Sequence, residues 1–431
     1  MDVTITNSVL VQPAHDTPSE AIWLSNVDLI FSKFYVRTTY IYGSIEEPDI
    51  CVWQRLREAL PKVLVYFYPL AGRLINDSSR EFAIDCNSEG VLFVEAVTDS
   101  DIEDLRDFSS ISQLSSLAPT MDYTQSITSL PLLLLQVTKF KCGGVALGVT
   151  ISHMVADGMS SLHFVNTWCD MAHGLDMMVP PYVDRTLLQA RNPPQPFFPH
   201  PLCLPFPKLL HKEGQEEGNF PISFKRFRLS KEQLNCLKEK AKDDSSKEAF
   251  TSFIALTAHI WKCVCISGNL LKQQETKLYI PMNGRERIRP VLPCGYFGNA
   301  IFHASPIDMS ENIVSQPISY IATKIAEEVN KIDDHYIRSQ IDYLELNPNL
   351  KIEVSRQGKL YPSMVINNWA HLPIYATNFG WGKPLFMGLT LNAPEGYCCI
   401  KPNSENDGSL IIEITLRSDR MDRFGKLLYE F

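Results

Sequence analysis

The chain has no apolar run near the roughly 18 to 20 residues a membrane-spanning helix needs, and no run of lysines or arginines. The first absence argues against a membrane span. The second, with a net charge of −9, argues against a nucleic-acid partner. Net charge says nothing of one pocket, so a small phosphorylated ligand is compatible with it. Paired cysteines are missing too. The eleven present are odd in number and scattered, and neither Cys263-x-Cys265 nor Cys398-Cys399 has a second pair at zinc-binding distance. Neither a disulfide framework nor a metal site is expected, and reduced thiols fit the cytosol. Residues 1–20 hold Asp2, His15, Asp16 and Glu20 without an apolar core, so no secretory leader and a cytoplasmic protein are expected.

What is present is enough for two cores. At 431 residues the chain exceeds one ordinary core, and 45% hydrophobic residues can fill two. Strand-like and helix-like segments alternate through the first half. Val3–Thr6 starts a strand, Thr38–Tyr42 is β-branched and aromatic, and Leu132–Val137 and Val145–Ile151 read as buried strands. Between Trp53 and Val65, Leu56, Ala59, Leu60, Val63 and Leu64 keep helical spacing. Such mixing predicts an α/β or α+β layered fold. Residues 178–222 break it with nine prolines from Pro180 to Pro207 and a charged stretch from Lys212 to Glu217. That density marks a crossover, and its Phe197, Phe198, Leu202, Leu204 and Phe206 predict packing over the surface. Beyond it Phe224–Leu229 alternates as a strand, and Ser230 with Gln233 three residues on signals a helix start. The predicted units are residues 1–177, the crossover 178–222, and 223–431.

Two short motifs carry the chemistry. Ser152-His153-Met154-Val155-Ala156-Asp157-Gly158 is an H-x-x-x-D-G between the strand ending at Ile151 and helical spacing from Ser160 to Trp168. A histidine at that junction can be held rigidly at a pocket mouth, and a pKa near 6.5 suits a general base. Alone, the motif fits a core histidine better than a base. The second is Asn378-Phe379-Gly380-Trp381-Gly382, two glycines around a tryptophan, which suits a tight loop presenting an indole N–H.

Together these segments resemble the plant BAHD acyltransferases, whose signatures are H-x-x-x-D near mid-chain and D-F-G-W-G near the C-terminus. Leu64–Leu74, Ile84–Asn87, Val183–Leu188, Gly295–Asn299 and Ile337–Ser339 extend the resemblance over the whole chain, closest to the hydroxycinnamoyl-CoA transferases. The resemblance implies two chloramphenicol acetyltransferase-like domains of mixed sheet plus helices, with an active-site tunnel at their interface. It implies acyl-CoA as co-substrate with no bound cofactor, a small-molecule acceptor, and a monomer. His153 would deprotonate the acceptor hydroxyl for direct attack on the thioester, with no acyl-enzyme. Asp157, with Gly158, would be structural and pair with Arg285. Trp381 would donate to the developing oxyanion.

Departures from the pattern set further expectations. Asn378 stands where the family has Asp, and we place it with the catalytic set while favouring a loop-organising role, since an amide cannot titrate. In the Trp369–Tyr375 segment His371 replaces an arginine that, in shikimate-type relatives, grips the acceptor carboxylate. Val36, with Thr38 and Tyr40, would line the acceptor pocket, and Val36 replaces a hydroxyl residue. A less polar pocket leans toward an aromatic acceptor such as hydroxyphenyllactate, giving a rosmarinate-type ester. Shikimate or quinate O-acylation, N-acylation of an amine, and a retired ligand-binding member are the alternatives.

Overall fold

The computed structural model describes all residues except 32–33, 46–48, 78–80, 106–107, 109, 201–206, 211–219, 243–248, 351–359 and 391–392. A six-stranded mixed sheet forms the first layer. Its strands are β1 (Thr4–Val11), β3 (Tyr35–Tyr42), β6 (Val91–Thr98), β7 (Leu133–Phe140), β8 (Val145–Ser152) and β14 (Phe386–Leu389), in the order β1-β6-β7-β8-β3-β14. Beside it β2 (Ile22–Trp23), β4 (Arg73–Asn76) and β5 (Phe82–Asp85) make a small three-stranded sheet. The second layer comprises β9 (Ile222–Leu229), β10 (Glu275–Asn283), β11 (Ile301–Ala304), β12 (Ile307–Met309), β13 (Met364–Asn368), β15 (Tyr397–Pro402) and β16 (Leu410–Arg417).

Each of the two large sheets packs one face under helices, and the central strands β7 and β8 are buried along their whole length. In the first layer Val145, Leu147, Val149 and Ile151 of β8 meet α2 (Asp49–Tyr66) and α4 (Gly158–Ala172). The short α1 (Asn26–Leu29) and α3 (Ile111–Ser115) lie in the connections. In the second layer Leu278 and Ile280 of β10 and Phe302 and Ala304 of β11 share a core with α6 (Ser252–Ser267) and α8 (Ile318–Asn330). The remaining helices are α5 (Lys231–Ala241), α7 (Ser310–Ser315), α9 (Asp334–Leu346) and α10 (Ser418–Leu427). Ser230 and Gln233 form the expected capping box at the start of α5.

Two features depart from the sequence reading. The boundary at residue 222 does not separate the layers, because β14 pairs antiparallel with β3 (Phe386 opposite Ile41, Leu389 opposite Thr38). Phe297, Ile374, Phe379 and Met387 likewise belong to the first layer's core. The crossover also does more than lie on the surface. Phe197 and Phe198 do cover α9 at His335 and Tyr336, but Arg185 is buried inside the molecule. Leu202, Leu204 and Phe206 lie outside the described residues.

Candidate active site

β8 ends at Ser152, and the His153 N–H continues the ladder by donating to the Phe34 carbonyl (2.8 Å). Alternation then puts His153 on the face of the sheet that carries Ile151. Its ring stacks on Phe31 (centroids 3.9 Å apart) and lies 5.9 Å from Phe34. Protein surrounds the residue while part of its surface stays accessible.

The orientation of the imidazole follows from its neighbours. The Asn299 amide nitrogen donates to Asp28 Oδ1 (2.9 Å) and to the His153 carbonyl (2.7 Å). Asn299 Oδ1 therefore faces His153 Nδ1, 3.1 Å away, and Nδ1 must carry the proton. Nε2 keeps its lone pair. Asp28 is in turn fixed by Ser25, by the Asn299 backbone N–H and by an ion pair with Arg185 (2.9 Å), both side chains being fully buried. Arg185 also donates to the carbonyls of Met154 and Val155, so the crossover helps hold the histidine loop. Burial lowers the His153 pKa below its ordinary 6.5, and this outweighs the opposing pull of its hydrogen bonds, Asp157 and Asp28. The ring is neutral at pH 7.

Asp157 faces elsewhere. It is the N-cap of α4, accepting from Ser160 N–H (2.9 Å). Arg285 grips it with two nitrogens at 2.8 and 2.9 Å, and the Ala300 N–H adds a third contact at 3.1 Å. Burial would raise its pKa, but Arg285 and these donors outweigh it and hold the carboxyl below the usual range. The Trp369–Tyr375 loop reaches the same end of α4, with Leu372 Cδ1 3.8 Å from where a Cβ on Gly158 would sit. His371 is exposed on that loop.

Val36 lies opposite Ile151, so it is a diagonal neighbour of His153, about 7–8 Å away across the ladder. Thr38 and Tyr40 follow on the same face, both buried, with Leu389 and Met387 of β14 opposite them.

Trp381 and Asn378 are not brought to His153, and their placement in the catalytic set is corrected. Trp381 packs edge-on against Tyr42 (5.3 Å), eight strand residues from Phe34, or about 26 Å along β3. Asn378 donates its N–H to Cys169 Sγ (3.0 Å), eleven residues along α4 from Gly158, or about 16 Å. Its Oδ1 accepts from the N–H groups of Gly380 (3.0 Å) and Gly382 (2.9 Å). Both glycines have positive φ (95° and 82°), which folds the chain around that oxygen. The asparagine organises the loop, and the indole serves the first layer's core.

Sequence reading misses Asn299, Asp28 and Arg185 as parts of the site. Asn299 and Arg185 lie in stretches it quotes without a role, and the one local sign of Asp28 is its capping-box spacing from Ser25.

Known proteins agree with this architecture. The Transferase family model matches residues 1–430. The chain is 45% identical to a shikimate O-hydroxycinnamoyltransferase of Nicotiana tabacum and 40% identical to a rosmarinate synthase of Plectranthus scutellarioides. It is also 40% identical to a hydroxycinnamoyl-CoA:5-hydroxyanthranilate N-hydroxycinnamoyltransferase of Avena sativa. All three matches cover 100% of both chains. In fold it is similar to vinorine synthase (TM-score 0.74, 23% identity, 98% of this chain and 96% of that one). It is similar also to TRI101 of F. sporotrichioides complexed with Coenzyme A and T-2 (TM-score 0.76, 19% identity, 93% and 96%). With its motifs in family order and its two mixed sheets under helices, the chain belongs to the BAHD family of acyltransferases.

Proposed function

We propose that this enzyme transfers a hydroxycinnamoyl group from its CoA thioester to the hydroxyl of a small hydroxy acid, and that the acceptor is aromatic, of the hydroxyphenyllactate kind. The observation that carries the reading is the fixed tautomer of His153. Asn299 binds the Nδ1 proton, so Nε2 is free to take the acceptor's proton as its oxygen attacks the thioester carbonyl. The C–S bond then breaks, CoA leaves as thiolate, and the imidazolium supplies the proton that makes it a thiol. Proximity of the two substrates supplies most of the remaining rate, since a thiolate leaves readily. A hydroxycinnamoyl group is named for the Nicotiana tabacum and Avena sativa relatives above. Val36 beside the histidine and a histidine at position 371 support the aromatic acceptor, because neither makes a permanent charged grip on a carboxylate.

The test is a screen of caffeoyl- and coumaroyl-CoA against hydroxyphenyllactate, shikimate, quinate and an arylamine, following free CoA and acylated product. The highest kcat/KM is expected for hydroxyphenyllactate. Dominant shikimate, quinate or amide products would replace the acceptor assignment and leave acyl transfer standing. No acylated product would remove the whole reading. His371→Arg should lower KM for shikimate and quinate by about tenfold, the scale of a new charged hydrogen bond. Unchanged kinetics with every acceptor would mean that this loop does not line the acceptor pocket.

A further inference from the structure

A second buried imidazole lies on the face of the second sheet that is turned toward the first layer. His303 lies in β11, opposite Pro281 of β10. Its neighbours Phe302 and Ala304 point into the second layer's helical core, so His303 points to the other face of that sheet. This face looks toward the first layer: Lys401, on the same side of β15, donates to the Met387 carbonyl of β14. The strand carrying His303 begins two residues after Asn299, the partner of His153.

His303 is only 7% exposed, and among the described residues neither ring nitrogen has a hydrogen-bond partner. The buried Nδ1 is fully enclosed without a bond. Ser305 Oγ, on the same face, is buried and unbonded too, whereas buried polar groups in native proteins are nearly always satisfied. Burial first, then the mutual opposition of two protonated rings at His153 and His303 and the charge of Lys277, push the His303 pKa down to about 3, so the ring stays neutral. A neutral imidazole offers one donor and one acceptor but no charge. It suits a hydroxyl far better than a carboxylate.

We propose that His303 is a specificity-determining residue that hydrogen-bonds a neutral hydroxyl of a bound substrate, on the donor's aromatic ring or on the acceptor. The inference rests on the acyl transfer proposed above. Whether the hydroxyl belongs to donor or acceptor is decided by two ratios of kcat/KM. One compares coumaroyl-CoA with cinnamoyl-CoA, and the other compares hydroxyphenyllactate with phenyllactate.

In His303→Phe one of these ratios should fall by roughly three- to tenfold, the scale of one hydrogen bond. His303→Gln, which can place an amide near the position of Nε2, the nitrogen that is not enclosed, should restore part of it. The ratio that moves identifies the substrate. Both ratios unchanged in His303→Phe would overturn the proposal, as would an equal loss for all substrates that Gln does not rescue. Should the phenylalanine variant fail to fold, His303→Ala carries the same comparison. Absence of transfer by the parent protein would instead sink the functional reading itself, so the two failures are distinguishable.

Discussion

An alcohol becomes a useful nucleophile only as its proton leaves, and a base can take that proton only while unprotonated. On the proposed reading, His153 meets the second condition through burial and the first through its tautomer. The sign of its pH dependence follows. The folded pKa is lowered, so activity is present above it and lost as pH falls through it, which puts the acid limb of kcat/KM below pH 6.5. An acid limb above 6.5 would mean that a nearby anion, and not burial, governs the ring. If His153 is the proposed base, His153→Ala should reduce kcat by about 10²–10⁴-fold while leaving CoA-ester affinity nearly intact, since such a base meets the acceptor proton and not the nucleotide. Retention of more than about a tenth of the parent rate would remove His153 from the base role. Asn299, which fixes the tautomer, shows what a motif leaves unsaid. It lies 146 residues from His153 in sequence, and no periodicity links the two.

At the scale of elements, α4 is the ruler of the first layer. Asp157 caps its start, Leu372 and Asn378 mark points along it, and Phe379 packs edge-on against Trp168 (5.2 Å). The strand β8 and helix α4 are legible because a β-branched run and helical spacing follow each other directly in sequence. The fixed separation of the two family motifs by most of that helix is not, because sequence order carries no distance. For that reason the indole of Trp381 reads as an oxyanion donor in one dimension and belongs to the core in three. Two variants test the element roles. Asp157→Asn keeps an N-cap acceptor but leaves Arg285 without its counter-charge, so stability should fall by about 3 kcal/mol, with activity per folded molecule largely retained. A well-folded but inactive variant would contradict the structural assignment. Asn378→Asp preserves an acceptor for the N–H groups of Gly380 and Gly382, so activity should stay within about tenfold of the parent. A new carboxylate limb in its pH–rate profile would show that this position does more than hold the loop.

For the whole molecule, the proline-dense crossover suggests a clean division that the chain does not make. Composition marks residues 178–222 as a connection, since proline removes backbone donors and regular structure with them. It cannot reveal that a strand from the second half returns to the first sheet, because Phe386–Leu389 is short and apolar and would suit either layer. The return has a mechanical consequence. β14 covers the edge of β3 from Thr38 to Ile41, and Lys401 ties it to the second sheet through the Met387 carbonyl and an ion pair with Glu413. Asn299 and Arg285 reach from the second half to His153 and Asp157. Residues 1–222 expressed alone would expose the β3 edge, leave Asp157 and Asp28 without partners supplied by the second half, and open the core at Phe297, Ile374 and Phe379. An uncovered apolar strand edge templates pairing with other chains, so this fragment should aggregate, whereas the intact chain should unfold in one calorimetric transition. A soluble, monomeric, cooperatively folded 1–222 fragment, or two separate transitions for the full chain, would show that the two layers are independent domains after all.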